Sequence, residues 1–186
     1  MDETGVVHGR FQIFHFDHLK YIMASKANCQ HLIVGITNPD PTLTKIDPAD
    51  PERSSPENNP LTYFERQTIV RSALLESGIE QTTFEIVPFP INFPDLYRFY
   101  VPLDATFYLT IYDDWGKRKK AMFESLGLKI HVLWVKPIEQ KGIRATEIRK
   151  KIAAVEPWEH LVPPATAVLM AKMGIIERLK QNWDRI

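Results

Sequence analysis

The sequence predicts an α/β protein: a parallel sheet of five strands covered by helices on both faces, with a small helical annex at the C-terminal end. Two observations predict it. Short apolar runs rich in β-branched and aromatic residues recur along the 186 residues, and stretches with helical spacing fill most of the gaps between them. Strands that alternate with helices call for right-handed crossovers, which place the strands parallel and bury the sheet on both sides. Residues 6–11 are the first strand and 17–26 the first helix. A second strand at 31–37 is followed, after a long polar gap, by a helix at 62–77. That helix has the clearest start, because Thr62 and Glu65 form a capping box ahead of the apolar positions Phe64, Ile69, Val70, Ala73 and Leu74. Strands at 84–88, 105–111 and 129–135 follow, with helices at 113–126 and 146–154. A last helical stretch, 163–180, broken near Gly174, belongs to the annex. The expected division is an α/β domain over 1–156 and an annex of the same domain over 157–186.

Composition narrows the function classes. Apolar residues make up 44% and charged residues 25%, the balance of a soluble globular chain. Lys plus Arg and Asp plus Glu are both 23, so the net charge is zero, and no bulk field is present to hold nucleic acid or an anionic membrane. An anion that binds must be held by a local arrangement. Cys29 is the only cysteine, which excludes an intrachain disulfide and suits a reducing compartment. The N-terminal residues carry no basic-then-apolar signal pattern, and no apolar run approaches the ~18 residues of a membrane span, so the expected location is the cytoplasm. Residues 38–60 fit no element. They hold six of the fourteen prolines and five acidic residues, and read either as a lid over a ligand or as a surface excursion.

Two constellations carry chemistry. The first strand runs into Gly9, Arg10, Phe11 and Gln12, and His15, Phe16, Asp17 and His18 then open the first helix. The end of a parallel strand and the N-terminus of the next helix form a ligand crevice whose free amides favour phosphate. On spacing alone, the His pair reads as a cap plus a surface residue or as an anion contact. No neighbouring Cys or His completes a metal ligand set. The second constellation, Arg144-Ala145-Thr146-Glu147-Ile148-Arg149, also follows a strand and opens a helix. Thr146 can cap that helix or offer its hydroxyl to phosphate, and Arg149 falls one turn later on the same side.

Together these residues resemble the nucleotidyltransferase superfamily, which has an H-x-G-H signature near the N-terminus and an I-S-x-T-x-I-R signature near the C-terminus. The chain looks most like the archaeal-type nicotinamide-mononucleotide adenylyltransferases. Their G-R-F-Q-P-x-H-x-G-H-L opening matches Gly9 through Leu19, and their S-G-T-E-I-R matches Arg144 through Arg149. Asn59-Pro60-Leu61-Thr62, Glu65-Arg66, Val87-Pro88-Phe89-Pro90 and Trp158 through Pro163 extend the match over nearly the whole chain. The resemblance implies a Rossmann-like, doubly wound sheet and an enzyme that transfers AMP from ATP to nicotinamide or nicotinate mononucleotide, releasing pyrophosphate. His15, His18 and Arg149 would be catalytic, and Gly9, Arg10, Phe11, Asp17, Arg144 and Thr146 would bind the nucleotide. Mg²⁺ would be carried mainly by the triphosphate, with no metal site of the protein's own. The partners implied are ATP or another nucleoside triphosphate, a small phosphorylated acceptor and, as in many family members, a second copy of the chain. Arg66 either reaches the same anions or pairs with acids around its helix.

The chain also departs from the family. Asp17 replaces the glycine between the histidines, either capping the helix or turning to the nucleobase, a ribose hydroxyl or Mg²⁺. Arg144 and Ala145 replace Ser and Gly, and the added guanidinium can take over a phosphate contact. In the acceptor region, Tyr97 can stack where the family has a Trp, the family's acid is lost or displaced to Asp95, and Phe93 is a further acceptor-binding candidate; Trp115 with Lys117 and Arg118 either reads an aromatic phosphorylated acceptor or belongs to a solvated basic face. These changes leave two further readings: a cytidylyl- or adenylyltransferase for another phosphorylated or phosphonate metabolite, and a nucleotide-binding module without catalysis.

Overall fold

The computed structural model describes residues 1–46 and 54–183. Part of the 38–60 stretch, read as a lid or a surface excursion, therefore lies outside the described residues. The strands are β1 (Asp2–Gly9), β2 (Cys29–Ile36), β3 (Phe84–Pro88), β4 (Thr106–Ile111) and β5 (Lys129–Val135). The helices are α1 (Phe16–Lys26), α2 (Tyr63–Glu76), α3 (Asp114–Ser125), α4 (Ala145–Ala153), α5 (Pro164–Lys172) and α6 (Ile175–Trp183). The five strands form one parallel sheet in the order β3-β2-β1-β4-β5, the Rossmann-like arrangement. Among the described residues, no helix is long and apolar enough to cross a membrane.

The order reverses between β1 and β4, and there the sheet splits. β1 stays paired with β2 as far as Gly9↔Ile36, but with β4 only at Gly5↔Thr106 and Val6↔Phe107. A reversal of this kind opens a crevice outside the carboxyl ends of the strands. Because successive strand residues face opposite ways, Val7 packs into a core beneath α1, α2 and α4, while Val6 packs into a second core beneath α3. The two cores account for the buried runs in the sequence. Between β3 and β4, the 3-10 stretch Pro94–Phe99 takes the place of a crossover helix.

The expected capping box is present: Glu65 N donates to Thr62 Oγ1 at 3.2 Å, and Thr62 N donates to Glu65 Oε2 at 2.8 Å. Several boundaries differ from the sequence-based expectation, those of β1 and α4 among them. β1 begins four residues earlier, because the polar Asp2 and Thr4 still pair with β2, and it ends at Gly9, because Phe11 turns into the left-handed region (φ 52). α4 is capped by Arg144 and not by Thr146, which lies inside the first turn. Beyond α4, α5 packs on α2 and α6 on α4, so Trp158, Val162, Met170, Ile175 and Leu179 complete the first core. Gly174, at φ 67, makes the break between α5 and α6.

Candidate active site

The N-terminus of α1 is built on an aromatic stack. A Cβ on Gly9 would lie 2.6 Å from the Phe11 ring, so only glycine lets that ring fold back under the loop. Phe11 is buried, and it meets the edge of the His18 ring at 5.0 Å and of Phe14 at 5.5 Å. His15 and His18 stack with ring centroids 3.6 Å apart and planes 22° apart. Burial pushes the His15 imidazole down to about 4 against the opposing pull of Asp17. Burial also holds His18 well below the usual histidine range, reinforced by His15 and Arg10. Both rings are therefore neutral near pH 7, each with one N–H to donate. His15 is the N-cap of α1 and its side chain makes no capping bond. The first amides of the helix are thus left for an anion.

The second constellation arrives at the same place. Arg149, 4% exposed, donates through Nη1 to the carbonyl of Gln12, and through Nη2 to Asn58 Oδ1 at 2.6 Å and Thr146 Oγ1 at 3.3 Å. It therefore joins the loop after β1, the end of the loop after β2, and α4. Burial lowers the pKa of its guanidinium. Thr146 and Arg144 are both exposed at the start of α4. Asp17 does not cap α1. Its Oδ2 accepts the backbone N–H of Ile143 at 2.6 Å, tying the first constellation to the second.

Several residues take roles the sequence did not suggest. Arg66 reaches neither an acid nor the open crevice. It is 1% exposed and donates five hydrogen bonds to backbone carbonyls, those of Thr62, Arg10, Thr37, Asn38 and Pro39. Burial lowers its pKa to about 10. Gln12 locks the same loop to Leu61, donating from Nε2 at 3.0 Å and accepting from Leu61 N at 2.9 Å. Neither clamp left a charge pattern that spacing alone reveals, since their partners are all backbone.

The acceptor region differs most from expectation. Tyr97 is not available for stacking: it is 1% exposed, packs on Phe89 at 4.5 Å and donates its hydroxyl to the Ile91 carbonyl at 2.5 Å. Phe93 is half-buried at the start of the 3-10 stretch. Trp115 is half-buried in the first turn of α3, with the Lys119 ammonium 4.4 Å from its ring centre. Lys117 pairs with Asp114 at 2.9 Å and Lys120 with Glu124 at 2.5 Å, as on a solvated basic face. At the carboxyl ends of β4 and β5, a cavity of about 500 Å³ is lined by Tyr112, Asp113, Lys117, Lys136 and Ile138 among others. Among the described residues, no cluster of His, Cys, Asp or Glu is suited to hold a metal ion. The carboxylate nearest the histidines, that of Asp17, is already engaged by an amide.

Comparison with known proteins agrees with this geometry. The cytidylyltransferase-like family pattern matches residues 6–151. The chain is 46% identical over 177 residues to the phosphonoformate cytidylyltransferase of Streptomyces viridochromogenes, covering 95% of each chain. It is 29% identical over 182 residues to the nicotinamide-nucleotide adenylyltransferase of Thermococcus onnurineus, covering 97% of this chain and 88% of that one. The fold superposes on a bifunctional NMN adenylyltransferase/ADP ribose pyrophosphatase from Francisella tularensis with a TM-score of 0.72 at 18% identity. All of this chain aligns there, spanning about half (54%) of that longer protein. With its paired constellations converging across a split parallel sheet, this chain belongs to the cytidylyltransferase-like family and is a nucleotidyltransferase.

Proposed function

We propose that the enzyme transfers a cytidylyl group from CTP to the phosphonate oxygen of a small phosphonate acceptor of the phosphonoformate type, releasing pyrophosphate. The observation that carries this reading is the 46% identity, spread over 95% of both chains, with a phosphonoformate cytidylyltransferase. The structure supports it on the acceptor side: Tyr97, the ring expected to stack on a nicotinamide, is closed into the core.

The chemistry asks little of the protein beyond placement. A phosphonate oxygen, already an anion, attacks the α-phosphorus of CTP. A new P–O bond forms, and the bond from the α-phosphorus to the bridging oxygen breaks, its electron pair leaving on pyrophosphate. No protein nucleophile or strong base enters; the demand is to hold two anions in line and stabilise the charge that builds on the leaving oxygens. His15 and His18 would donate neutral N–H groups to the α-phosphate and bridging oxygen. Arg10, Arg144, Thr146 and the first amides of α1 and α4 would hold the β- and γ-phosphates, with Arg149 organising the loops around them.

A second reading, AMP transfer from ATP to nicotinamide mononucleotide, rests on the relatives at 29% identity. Phosphorus NMR of a reaction containing CTP, ATP, phosphonoformate and nicotinamide mononucleotide separates the two. The proposal predicts a new coupled pair of resonances for a mixed phosphonate–phosphate anhydride, together with free pyrophosphate. Unchanged phosphonoformate beside a dinucleotide formed from ATP and nicotinamide mononucleotide would establish the second reading instead.

A further inference from the structure

Asp17 occupies the position where the resembling adenylyltransferases have glycine, a residue with no side chain to accept a hydrogen bond. Here its Oδ2 receives the Ile143 N–H at 2.6 Å, across 126 residues of sequence. The fit is close. A Cβ on Gly142 would come within 2.3 Å of Oδ2 and 3.2 Å of the carboxyl carbon. Gly142 lies outside the left-handed region, so alanine there meets an obstruction from Asp17 and no backbone strain. The linker before α4 is also held from its other side, where Lys141 Nζ meets Asp113 Oδ2 at 3.1 Å while Asp113 Oδ1 caps α3 at Gly116 N, 2.9 Å away. The segment from Lys141 to Ile143 is thus pinned to α3 and to α1, on either side of the split between β1 and β4. Arg144 and the exposed start of α4 follow directly.

We infer that Asp17 is a positioning residue for the triphosphate: by holding Ile143 it fixes the N-terminus of α4, and with it Arg144 and Thr146, opposite the N-terminus of α1. The inference rests on the nucleotidyl-transfer reading. It assigns Asp17 to neither a helix cap nor a ligand or metal contact, and it makes Gly142 the position whose lack of a side chain leaves the Asp17 carboxylate in place. An acidic group beside a polyanion is unfavourable, and donation from the amide offsets part of that cost. An amide oxygen in its place keeps the hydrogen bond without the charge.

The test uses the full-length chain as wild type, D17N, D17A, G142A and D17A/G142A. CTP and, separately, ATP binding are measured by calorimetry, and amide hydrogen exchange at Ile143 is measured without nucleotide. D17A and G142A are each expected to weaken triphosphate binding about tenfold, the scale of one charge-assisted hydrogen bond lost. The double variant should be no weaker than the weaker single variant, because both remove one contact. D17N should stay within about threefold of wild type or bind more tightly, with Ile143 exchange slow in wild type and D17N and fast in D17A. A D17N variant as weak as D17A, additive losses in the double variant, or unchanged Ile143 exchange in D17A would overturn the inference. Normal Ile143 behaviour with no CTP affinity in the wild type would instead overturn the proposed substrate, leaving the latch intact.

Discussion

His15 and His18 lie face to face in a buried stack, neutral before any substrate arrives. Removal of either donor in H15A or H18A is expected to lower kcat by about 10²–10³, the scale of losing one preorganised donor to a developing oxyanion, with the circular dichroism spectrum unchanged. Burial of His15 also has a consequence for stability. Its folded pKa of about 4 lies below its unfolded value, so the unfolded chain binds more protons between pH 6.5 and 4. Stability from keeping His15 neutral is fully present above pH 6.5 and is lost as the pH falls toward 4. The loss is on the order of 2 kcal/mol, and denaturant melts at pH 7 and 5 should show a smaller difference in H15Q than in wild type. At this scale the sequence was informative about proximity: Arg149 of the second motif reaches the Gln12 carbonyl, in the loop that leads to the two histidines of the first. It misled where one residue type serves several ends. Tyr97 supplies core volume, Arg66 gathers loop carbonyls, and Thr146 leaves the cap to Arg144.

At the level of elements, the alternation of apolar strands and amphipathic helices recovered every strand and helix of the sheet domain. The fine boundaries escaped, because pairing with a neighbour carries polar residues such as Asp2 and Thr4 into β1, and a left-handed Phe11 ends it. What holds the elements in register around the crevice is a set of loop clamps. Arg66→Met would leave carbonyls of both loops without a donor, and is expected to cost about 3 kcal/mol or more of stability, with a rise in KM for the triphosphate as the loops relax. Thr62→Ala removes the cap of α2 and should cost about 1 kcal/mol, a fall of about 2–4 °C in Tm by calorimetry. The C-terminal helices enter the same arrangement, since Arg178 of α6 donates to both carboxylate oxygens of Glu65 at 2.8 Å, the residue that closes the capping box.

Over the whole molecule, a chain of zero net charge concentrates a few cationic and hydrogen-bonding groups from its two ends on one split in the sheet. That architecture suits a compact polyanion held between two helix N-termini. It was legible from the order of the motifs, while the acceptor was not, because the residues that shape its pocket do not follow the pattern of the resembling adenylyltransferases. The most direct test is a competition in a single vessel: purified enzyme with equal concentrations of CTP and ATP, phosphonoformate and nicotinamide mononucleotide, and Mg²⁺, with products separated by mass. A phosphonoformate cytidylyltransferase gives the cytidylyl–phosphonoformate anhydride as the dominant product, formed with stoichiometric pyrophosphate and lost in H18A. A product mixture dominated by the adenylyl dinucleotide would contradict that activity.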